Sequence, residues 1–302
     1  MPHTAFALSL AIICGPASAL VVGGGNGTTT PTLNTQAPST NPYWDNVGWG
    51  NFGTSASSPG SAIYIGNGLV LTADHTSGNR IILGTDDPSG GTTFSAAPGG
   101  INQNLTNPDS STSELRIFEV SGDPGLAAVP IYDQPLTAGT ALMMIGTGIT
   151  RGSAEQGYDF TGSPAVDAFG YDQSGTRDKT WGTNAVTSVG TFYNDISGLN
   201  NFWGFTAEFN DLDGEAMAAD KDSGSAVFAF DTVDNRWELA GIATAITGFQ
   251  DQPSGTSLYG TSTIFIDLTP YSAQINALIP EPTSLALLAT GGLLVMTRRK
   301  QH

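Results

Sequence analysis

Short apolar runs, bounded by Gly, Asn, Asp or Ser, recur along this chain. Their length is typical of β-strands, because helices in globular proteins usually extend over ten residues or more. The 39 glycines and the long polar turns also favour a β-rich chain. We expect strands over 61–65, 68–73, 80–83, 115–120, 141–145, 226–230, 237–243 and 263–268. The pattern predicts an all-β fold with one short helix over 270–278, where Tyr271, Ile275 and Leu278 share a face.

Residues 1–19 have the features of a secretory signal peptide. An apolar run over 5–13 precedes Ala17-Ser18-Ala19, a small-x-small cleavage site, and a buried first strand or helix is the alternative. Because Cys14 is the only cysteine, cleavage after Ala19 would exclude disulfides, a cysteine nucleophile and cysteine zinc sites. Residues 20–42, rich in Gly, Thr, Asn and Pro, predict a flexible linker before a folded domain over 43–279.

Residues 280–302 contain three consecutive features of a sorting signal. Pro280-Glu281-Pro282 precedes an apolar stretch over 285–296, and Arg298-Arg299-Lys300 follows it. This order resembles the PEP-CTERM tail of exported bacterial proteins. The resemblance implies transient membrane contact and removal by an exosortase-type enzyme. The stretch is shorter than the ~20 residues of a membrane span, and an ordinary tail anchor is the alternative. In both cases we expect the body to face outward, at the cell surface, in the extracellular matrix or secreted.

The body of the chain is strongly acidic. Residues 20–279 include 7 basic and 26 acidic residues, which gives a formal charge of −19. Contacts to phosphate need a Lys- and Arg-rich surface, so this charge argues against a nucleic-acid partner. We interpret the acidity as a solvated exterior that keeps the protein soluble.

A single histidine, His75, lies between the two terminal segments. It ends the segment Leu71-Thr72-Ala73-Asp74-His75, directly after an apolar run. Ser223 lies far downstream, in Lys221-Asp222-Ser223-Gly224-Ser225. Imidazole titrates near neutrality, and a serine hydroxyl becomes a good nucleophile when such a base is within hydrogen-bond reach. The two segments predict a nucleophile and its general base. Taken separately, His75 could be a surface or core histidine and Ser223 a turn residue.

Together these two segments resemble trypsin-like (chymotrypsin-fold) serine proteases. In that family a strand ends in Leu-Thr-Ala-Ala-His, and the nucleophile lies in Gly-Asp-Ser-Gly-Gly. Segment 237–242 is similar to the strand that follows the nucleophile, and helix 270–278 occupies the place of the family's C-terminal helix. The resemblance covers about residues 45–278. It implies two antiparallel Greek-key β-barrels, with the active site between them. It also implies a monomeric serine endopeptidase that cleaves protein or peptide substrates and needs no cofactor or metal.

Glu114 is the residue that we predict to orient His75. It opens an apolar run that is similar to the family's Asp-Ile-Ala-Leu-Leu. It lies 39 residues after His75 and 109 before Ser223, in the family's order of histidine, acid and serine. Its role would be to hold the imidazole tautomer that leaves the other ring nitrogen facing Ser223. Asp109 is the alternative acid.

Three residues depart from the family's pattern. Lys221 replaces a glycine whose backbone N–H forms the oxyanion hole with that of Ser223. Lysine can supply the same amide, but a positive φ would make this position costly. Asp74 replaces a small residue, and Ser225 replaces the last glycine of the serine motif. These departures leave open a catalytically inactive member of the fold that acts as a surface or matrix binding module. An unrelated carbohydrate-binding sandwich, in which His75 and Ser223 never meet, is a further alternative.

The resemblance also implies a specificity pocket. Counting along the motifs places Met217 at its floor and Thr244, Ala245 and Ile246 along its wall. None of these residues is acidic, which implies a small or medium apolar substrate side chain rather than Lys or Arg. The alternative for Met217 is a core residue.

Two further segments carry weaker expectations. The carboxylates of segment 211–215 have the character of a calcium loop but lack the spacing of an EF-hand, so we expect a polar turn. Val21-Val22-Gly23-Gly24 is similar to the family's mature N-terminus, whose amine pairs with the Asp before the nucleophile, here Asp222. It lies 54 residues before His75 and leads into low-complexity sequence, so we expect this likeness to be accidental. Asp222 would then need another partner or lie at a solvated turn.

Overall fold

The structure, a computed structural model, describes most of the predicted folded domain. The described residues are 11–12, 20–24, 37–38, 48–55, 60–84, 90–152, 154–162, 165–173 and 177–279. The predicted sorting tail, and most of the predicted signal peptide and linker, lie outside them. A search of the described part of the chain finds no helix with the length and apolar character that crossing a membrane requires.

The described residues form twenty strands and one α-helix, numbered in chain order. The first ten strands are β1 (Ala11–Ile12), β2 (Val21–Val22), β3 (Phe52–Ser55), β4 (Gly60–Gly66), β5 (Leu69–Ala73), β6 (Arg80–Leu83), β7 (Thr92–Ser95), β8 (Asn102–Thr106), β9 (Thr112–Glu119) and β10 (Ala141–Gly146). The others are β11 (Gln156–Tyr158), β12 (Ala168–Asp172), β13 (Thr180–Ala185), β14 (Ser188–Tyr193), β15 (Phe202–Glu208), β16 (Ala216–Met217), β17 (Ala226–Asp231), β18 (Arg236–Gly248), β19 (Thr256–Leu258) and β20 (Ser262–Asp267). The helix is α1 (Ser272–Leu278), and 3-10 turns cover Trp49–Asn51, Asp74–Thr76 and Thr269–Tyr271.

Two large antiparallel sheets contain most of these strands. The first has the strand order β7-β6-β3-β4-β5-β9-β8. The second has the order β13-β10-β17-β18-β20-β15-β14, with β1 also paired to β18. Two smaller sheets combine β11-β12-β19 and β2-β16. Apart from β1, the first sheet uses the earlier part of the chain and the second the later part, so a site between them combines residues that are distant in sequence.

One hydrophobic core joins the two large sheets. Residues 69, 71 and 73 of β5 face this core, as the two-residue period of a strand requires, while Val70 belongs to a separate cluster. The joint core includes Leu71, Leu115, Met143, Ile145, Phe228, Leu239 and Ile266. Helix α1 adds Ile275, and the preceding turn adds Tyr271. The sheets therefore pack against each other through buried side chains from both.

The structure confirms the predicted all-β class and the short C-terminal helix. Each of the eight segments predicted as strands overlaps an observed strand. The structure differs from the prediction by twelve further strands, including the largely buried β3 and β15, and by two extensions: β9 begins at Thr112, and β18 continues to Gly248. The second extension brings the end of β18 to the cavity described below.

Candidate active site

His75 and Glu114 are brought together by the pairing of β5 with β9. Ala73, the last residue of β5, pairs with Leu115, so position 114 lies beside the turn that follows β5. The ring Nδ1 of His75 lies 2.6 Å from Glu114 Oε1, and the backbone nitrogen of His75 donates to the same oxygen at 3.1 Å. The backbone nitrogen of Asn200 donates to Oε2 at 2.8 Å. Glu114 is only 1% exposed, so these contacts replace its hydration.

The alternative acid, Asp109, has hydrogen-bond partners in its own turn. It lies exposed in the turn before β9, where its Oδ1 accepts hydrogen bonds from the backbone and hydroxyl of Ser111 at 3.0 and 2.6 Å. These hydrogen bonds lower the pKa of Asp109. Of the two candidate acids, Glu114 is the one in contact with His75.

Ser223 lies in a tight loop between β16 and β17. Its carbonyl accepts a hydrogen bond from Ser61 of β4 at 2.8 Å, and the backbone nitrogen of Gly224 donates to Ala243 of β18 at 2.8 Å. Gly224 has φ +90°, and a Cβ there would overlap the Ser61 carbonyl. The loop thus touches both large sheets, and glycine is the residue that fits this approach.

Lys221 adopts the backbone conformation that the sequence comparison identified as costly. Its φ is +75°, in the left-handed region, where a residue with a Cβ is strained by about 1–2 kcal/mol. Its side chain is partly buried, and Nζ lies 3.5 Å from Asp220 Oδ2. The backbone therefore follows the course that suits a glycine, although a lysine occupies the position.

Asp222 is fully buried, so of the two alternatives, another partner or a solvated turn, the solvated turn is wrong. Its carboxylate accepts hydrogen bonds from the backbone nitrogen of Ala219 at 3.0 Å and from Ser225 Oγ at 2.9 Å. Burial nevertheless raises the pKa of Asp222 well above its usual range, while these hydrogen bonds and the charge of Arg177 act in the opposite direction. The group is held in place inside the loop that carries Ser223.

The segment that begins at Leu20 packs beside Asp222. Leu20 and Val21 are fully buried, and β2 pairs with β16 directly before the Ser223 loop. Gly146 lies between the two groups: a Cβ there would overlap the Asp222 carboxylate and come within 2.9 Å of Leu20 Cγ. The likeness of this segment to a mature N-terminus was expected to be accidental. In the structure, however, the segment is buried and packs near Asp222, as the mature N-terminus does in the resembled family.

His75 and Ser223 line the same cavity, which has a volume of about 330 Å³. Much of its wall is apolar and comes from Leu199, Ala218, Ala243, Ala245 and Ile246. Thr244 also lines it. The amides of Gln173 and Gln252 reach it as well, but they hydrogen-bond to the backbone of the surrounding loops, including the carbonyl of Thr256.

Met217 does not lie at the floor of this cavity. It pairs with Val21 in the β2–β16 ladder and is buried among Val21, Tyr171 and Phe209. Ala218 and Ala219, the next two residues, line the cavity instead. Counting from Ser223 therefore locates the right segment, but the strand turns the Met217 side chain into the core.

The acidic segment 211–215 forms a turn against Gly23 and Gly24. The backbone of Gly23 donates to the Glu215 carbonyl at 2.7 Å, and the Glu215 carboxylate accepts a hydrogen bond from the backbone of Asn210. Burial raises the pKa of Glu215. Within the part of the chain that the structure describes, no group of three or more His, Cys, Asp or Glu side chains is arranged to hold a metal ion.

Asp74, the residue before His75, has two polar partners. Arg116 Nη1 donates to Oδ1 at 2.7 Å, and Asn200 Nδ2 donates to Oδ2 at 2.8 Å. No sequence motif predicts a role for Asn200, which is 86 residues from Glu114 and 126 from Asp74. Its two contacts show that the loop before β15 belongs to the surroundings of His75.

Comparisons with known proteins add no relative to this description: no family model matches the chain, and no curated protein matches it.

Proposed function

We propose that this chain is a serine endopeptidase of the trypsin-like class, with Ser223 as nucleophile, His75 as general base and Glu114 as orienting acid. The observation that carries the proposal is the contact between His75 Nδ1 and the buried Glu114 carboxylate, beside a cavity that Ser223 also lines. In this proposal the two large sheets correspond to the two antiparallel Greek-key barrels of that fold. Two observations support this correspondence: the chain is all-β, and one cavity is lined both by His75, which follows a strand of the first sheet, and by Ser223, which precedes a strand of the second.

The proposed reaction divides peptide hydrolysis into two steps. Ser223 Oγ attacks the scissile carbonyl while His75 Nε2 accepts the hydroxyl proton and then passes it to the leaving amine. Water, deprotonated by the same imidazole, releases the acyl group from Ser223. Glu114 holds the tautomer with the proton on Nδ1 and stabilises the imidazolium that forms. The backbone amides of Ser223 and Lys221 would stabilise the oxyanion.

The cavity supports an apolar side chain as the residue recognised before the cleaved bond. Its alanine-rich wall leaves space for a medium side chain, and Thr244 and Ile246 would contact that side chain. Two aspartates line the cavity: Asp220 forms an ion pair with Lys221, and the buried Asp222 accepts hydrogen bonds from the Ala219 backbone and from Ser225. Because Asp220 is paired with Lys221, it does not provide the isolated negative charge that would select a substrate Lys or Arg.

The buried position of Leu20 supports a processing step. Cleavage after Ala19 would create an α-ammonium group at Leu20, whose side chain lies beside Gly146 on the side where Gly146 also faces the buried Asp222 carboxylate. In the resembled family the mature N-terminus pairs with the residue before the nucleophile. We propose the same pair here, so that removal of the leader supplies Asp222 with a cation. The sorting tail would place the mature enzyme at the cell surface or release it after processing by an exosortase-type partner.

A fluorophosphonate probe tests the central proposal, because it labels serines that an adjacent base activates. We expect the chain from Leu20 to Ile279 to be labelled, and the Ser223→Ala and His75→Ala variants not to be. Ser254 is an exposed serine of the same cavity, so Ser254→Ala is the matched control and should label normally. A folded, unlabelled wild-type chain would instead favour an inactive binding module, for which the strained Lys221 is the supporting observation.

A further inference from the structure

We propose that Asp74 and Asn200 are positioning residues that hold Glu114 against His75. The inference rests on the proposed function, because it concerns the same three catalytic groups. It assigns a role to Asp74, which departs from the family's pattern, and to Asn200, which no motif identifies. The two residues are joined by a hydrogen bond of 2.8 Å.

The first step in this argument is how the two oxygens of Glu114 are used. Oε1 faces His75, through both the ring and the backbone nitrogen. Oε2 accepts the backbone N–H of Asn200 at 2.8 Å. A glutamate side chain has one more rotatable bond than an aspartate, so a contact on the far oxygen is needed to fix the rotation of the carboxylate. The Asn200 amide supplies that contact.

The second step is what fixes the Asn200 amide. Its side chain donates to Asp74 Oδ2, while Arg116 Nη1 donates to Asp74 Oδ1 at 2.7 Å. Arg116 is itself held by Asn104 Oδ1 at 3.0 Å and Asn102 Oδ1 at 3.1 Å. Each oxygen of the Asp74 carboxylate therefore accepts a hydrogen bond, one from Arg116 and one from Asn200. Its carboxylate joins the loop before β15 to the first sheet.

The third step concerns Asn201, whose backbone holds the loop before β15 close to β9. The carbonyl of Asn201 accepts hydrogen bonds from the backbone of Glu114 at 3.0 Å and from Asn107 Nδ2 at 3.0 Å. These contacts fix residue 201, but they do not orient the preceding amide. The Asn200–Asp74 hydrogen bond does so, and it ends on the residue adjacent to His75. One linkage thus sets the relative position of the base and its orienting acid.

The test compares Asp74→Asn and Asn200→Ala with a matched control. Asp74→Asn is isosteric, but it places an NH₂ group or a weaker neutral oxygen against two donors. Asp234→Asn is the control, because it removes an aspartate that contacts Arg236 at 2.9 Å in the distant β17–β18 hairpin. We expect either site variant to acylate with the fluorophosphonate probe about ten- to a hundredfold more slowly, the effect of a small misplacement of catalytic groups. The control should stay within twofold of wild type.

The double variant Asp74→Asn/Asn200→Ala should be no slower than the worse single variant, because both changes break the same linkage. Independent losses that multiply would overturn the proposal. So would a rate within twofold of wild type in a folded Asp74→Asn protein. If Asp74→Asn does not fold, Asn200→Ala decides the question alone.

A second measurement separates this inference from the proposed function. The Nδ1 proton of His75, hydrogen-bonded to Glu114, should give a downfield proton resonance, assigned by its absence in His75→Ala. We expect the resonance to shift upfield or disappear in Asp74→Asn and Asn200→Ala, and to persist in Asp234→Asn. This readout does not need Ser223 to react. An unlabelled wild type with the expected resonance changes would reject the enzyme and keep the positioning linkage, whereas an unchanged resonance would reject the linkage.

Discussion

One oxygen of Glu114, Oε1, lies within hydrogen-bond distance of both the backbone nitrogen and the ring Nδ1 of His75, at 3.1 and 2.6 Å. The contact to the backbone nitrogen fixes the position of the His75 main chain, and the contact to Nδ1 fixes the rotation of the imidazole ring. These two contacts support the orienting role that we propose for Glu114, which an aspartate has in the resembled family.

The first prediction concerns the charge of this group. Glu114→Gln keeps the shape but can present its NH₂ group to His75, which favours the wrong tautomer. We expect the rate of probe acylation to fall by about 10³- to 10⁴-fold. Stopped samples analysed by mass spectrometry would measure the rate. Glu238→Gln is the control, because Glu238 is also a buried glutamate but contacts Arg236. An equal loss in both variants would indicate a general effect on folding.

The second prediction concerns the left-handed backbone of Lys221. Lys221→Gly removes the Cβ that is strained at φ +75°, and we expect the free energy of unfolding to rise by about 1 kcal/mol. Acylation should be kept, since the backbone amide remains. Urea unfolding of Lys221→Ala provides the comparison, because alanine removes the charge but keeps the Cβ. Equal stability of the glycine and alanine variants would show that the backbone strain is not felt.

The third prediction concerns the pH dependence of stability in the full chain. Burial raises the pKa of Asp222 in the folded state above the unfolded value of about 3.9. The folded state then binds this proton more tightly, so this contribution to stability is complete at low pH and is lost as pH rises through the raised pKa. In urea unfolding, Asp222→Asn should show a smaller decline as pH rises above about 4, and the remainder should come from Glu215, Glu238 and Asp267, whose pKa values burial also raises. Exposed Asp133 is the control, and Asp133→Asn should retain the decline.

The fourth prediction concerns the new N-terminus. In a chain that starts at Leu20, the α-ammonium group should stabilise the charged form of Asp222 and lower its pKa. We expect the part of the decline that Asp222 causes above about pH 4 to disappear, and a new loss of stability to follow as the amine loses its proton, above its unpaired pKa of about 8. A chain that starts at Ala19 is the control, since its amine is one residue away. Identical pH profiles for the two chains would contradict the pair.

The sequence predicts eight apolar strands because their side chains face a core on at least one side, whereas the largely buried strands β3 and β15, each of which contains a glycine, are not predicted. Strands such as β8 and β14 contain mostly exposed residues and were not predicted, since pairing with β9 and β15 rather than their own composition stabilises them. In the site, the motifs and their order along the chain are enough to predict His75, Glu114 and Ser223 as candidate residues. Asn200 could not be found in this way, because its contacts depend on how a distant loop packs.

Met217 illustrates a different limit of sequence analysis. The spacing from Ser223 identified the segment that borders the cavity, but it could not tell which face of a two-residue strand carries the side chain. That depends on the pairing of β16 with β2, and β2 belongs to a segment whose low-complexity surroundings predicted a linker. A short pairing in tertiary structure thus decided the side-chain direction.

Because the proposed triad is divided between the two large sheets, its activity would depend on how closely the two sheets pack against each other. His75 and Glu114 belong to the earlier sheet, whereas the Ser223 loop leads into the later one. Neither half of the polypeptide alone contains both the proposed base and the proposed nucleophile. Slight separation of the halves on heating would switch off turnover while each half still kept its strands. Inactivation should therefore precede loss of the far-ultraviolet dichroism signal, and the interval between them would measure the cohesion of the interface.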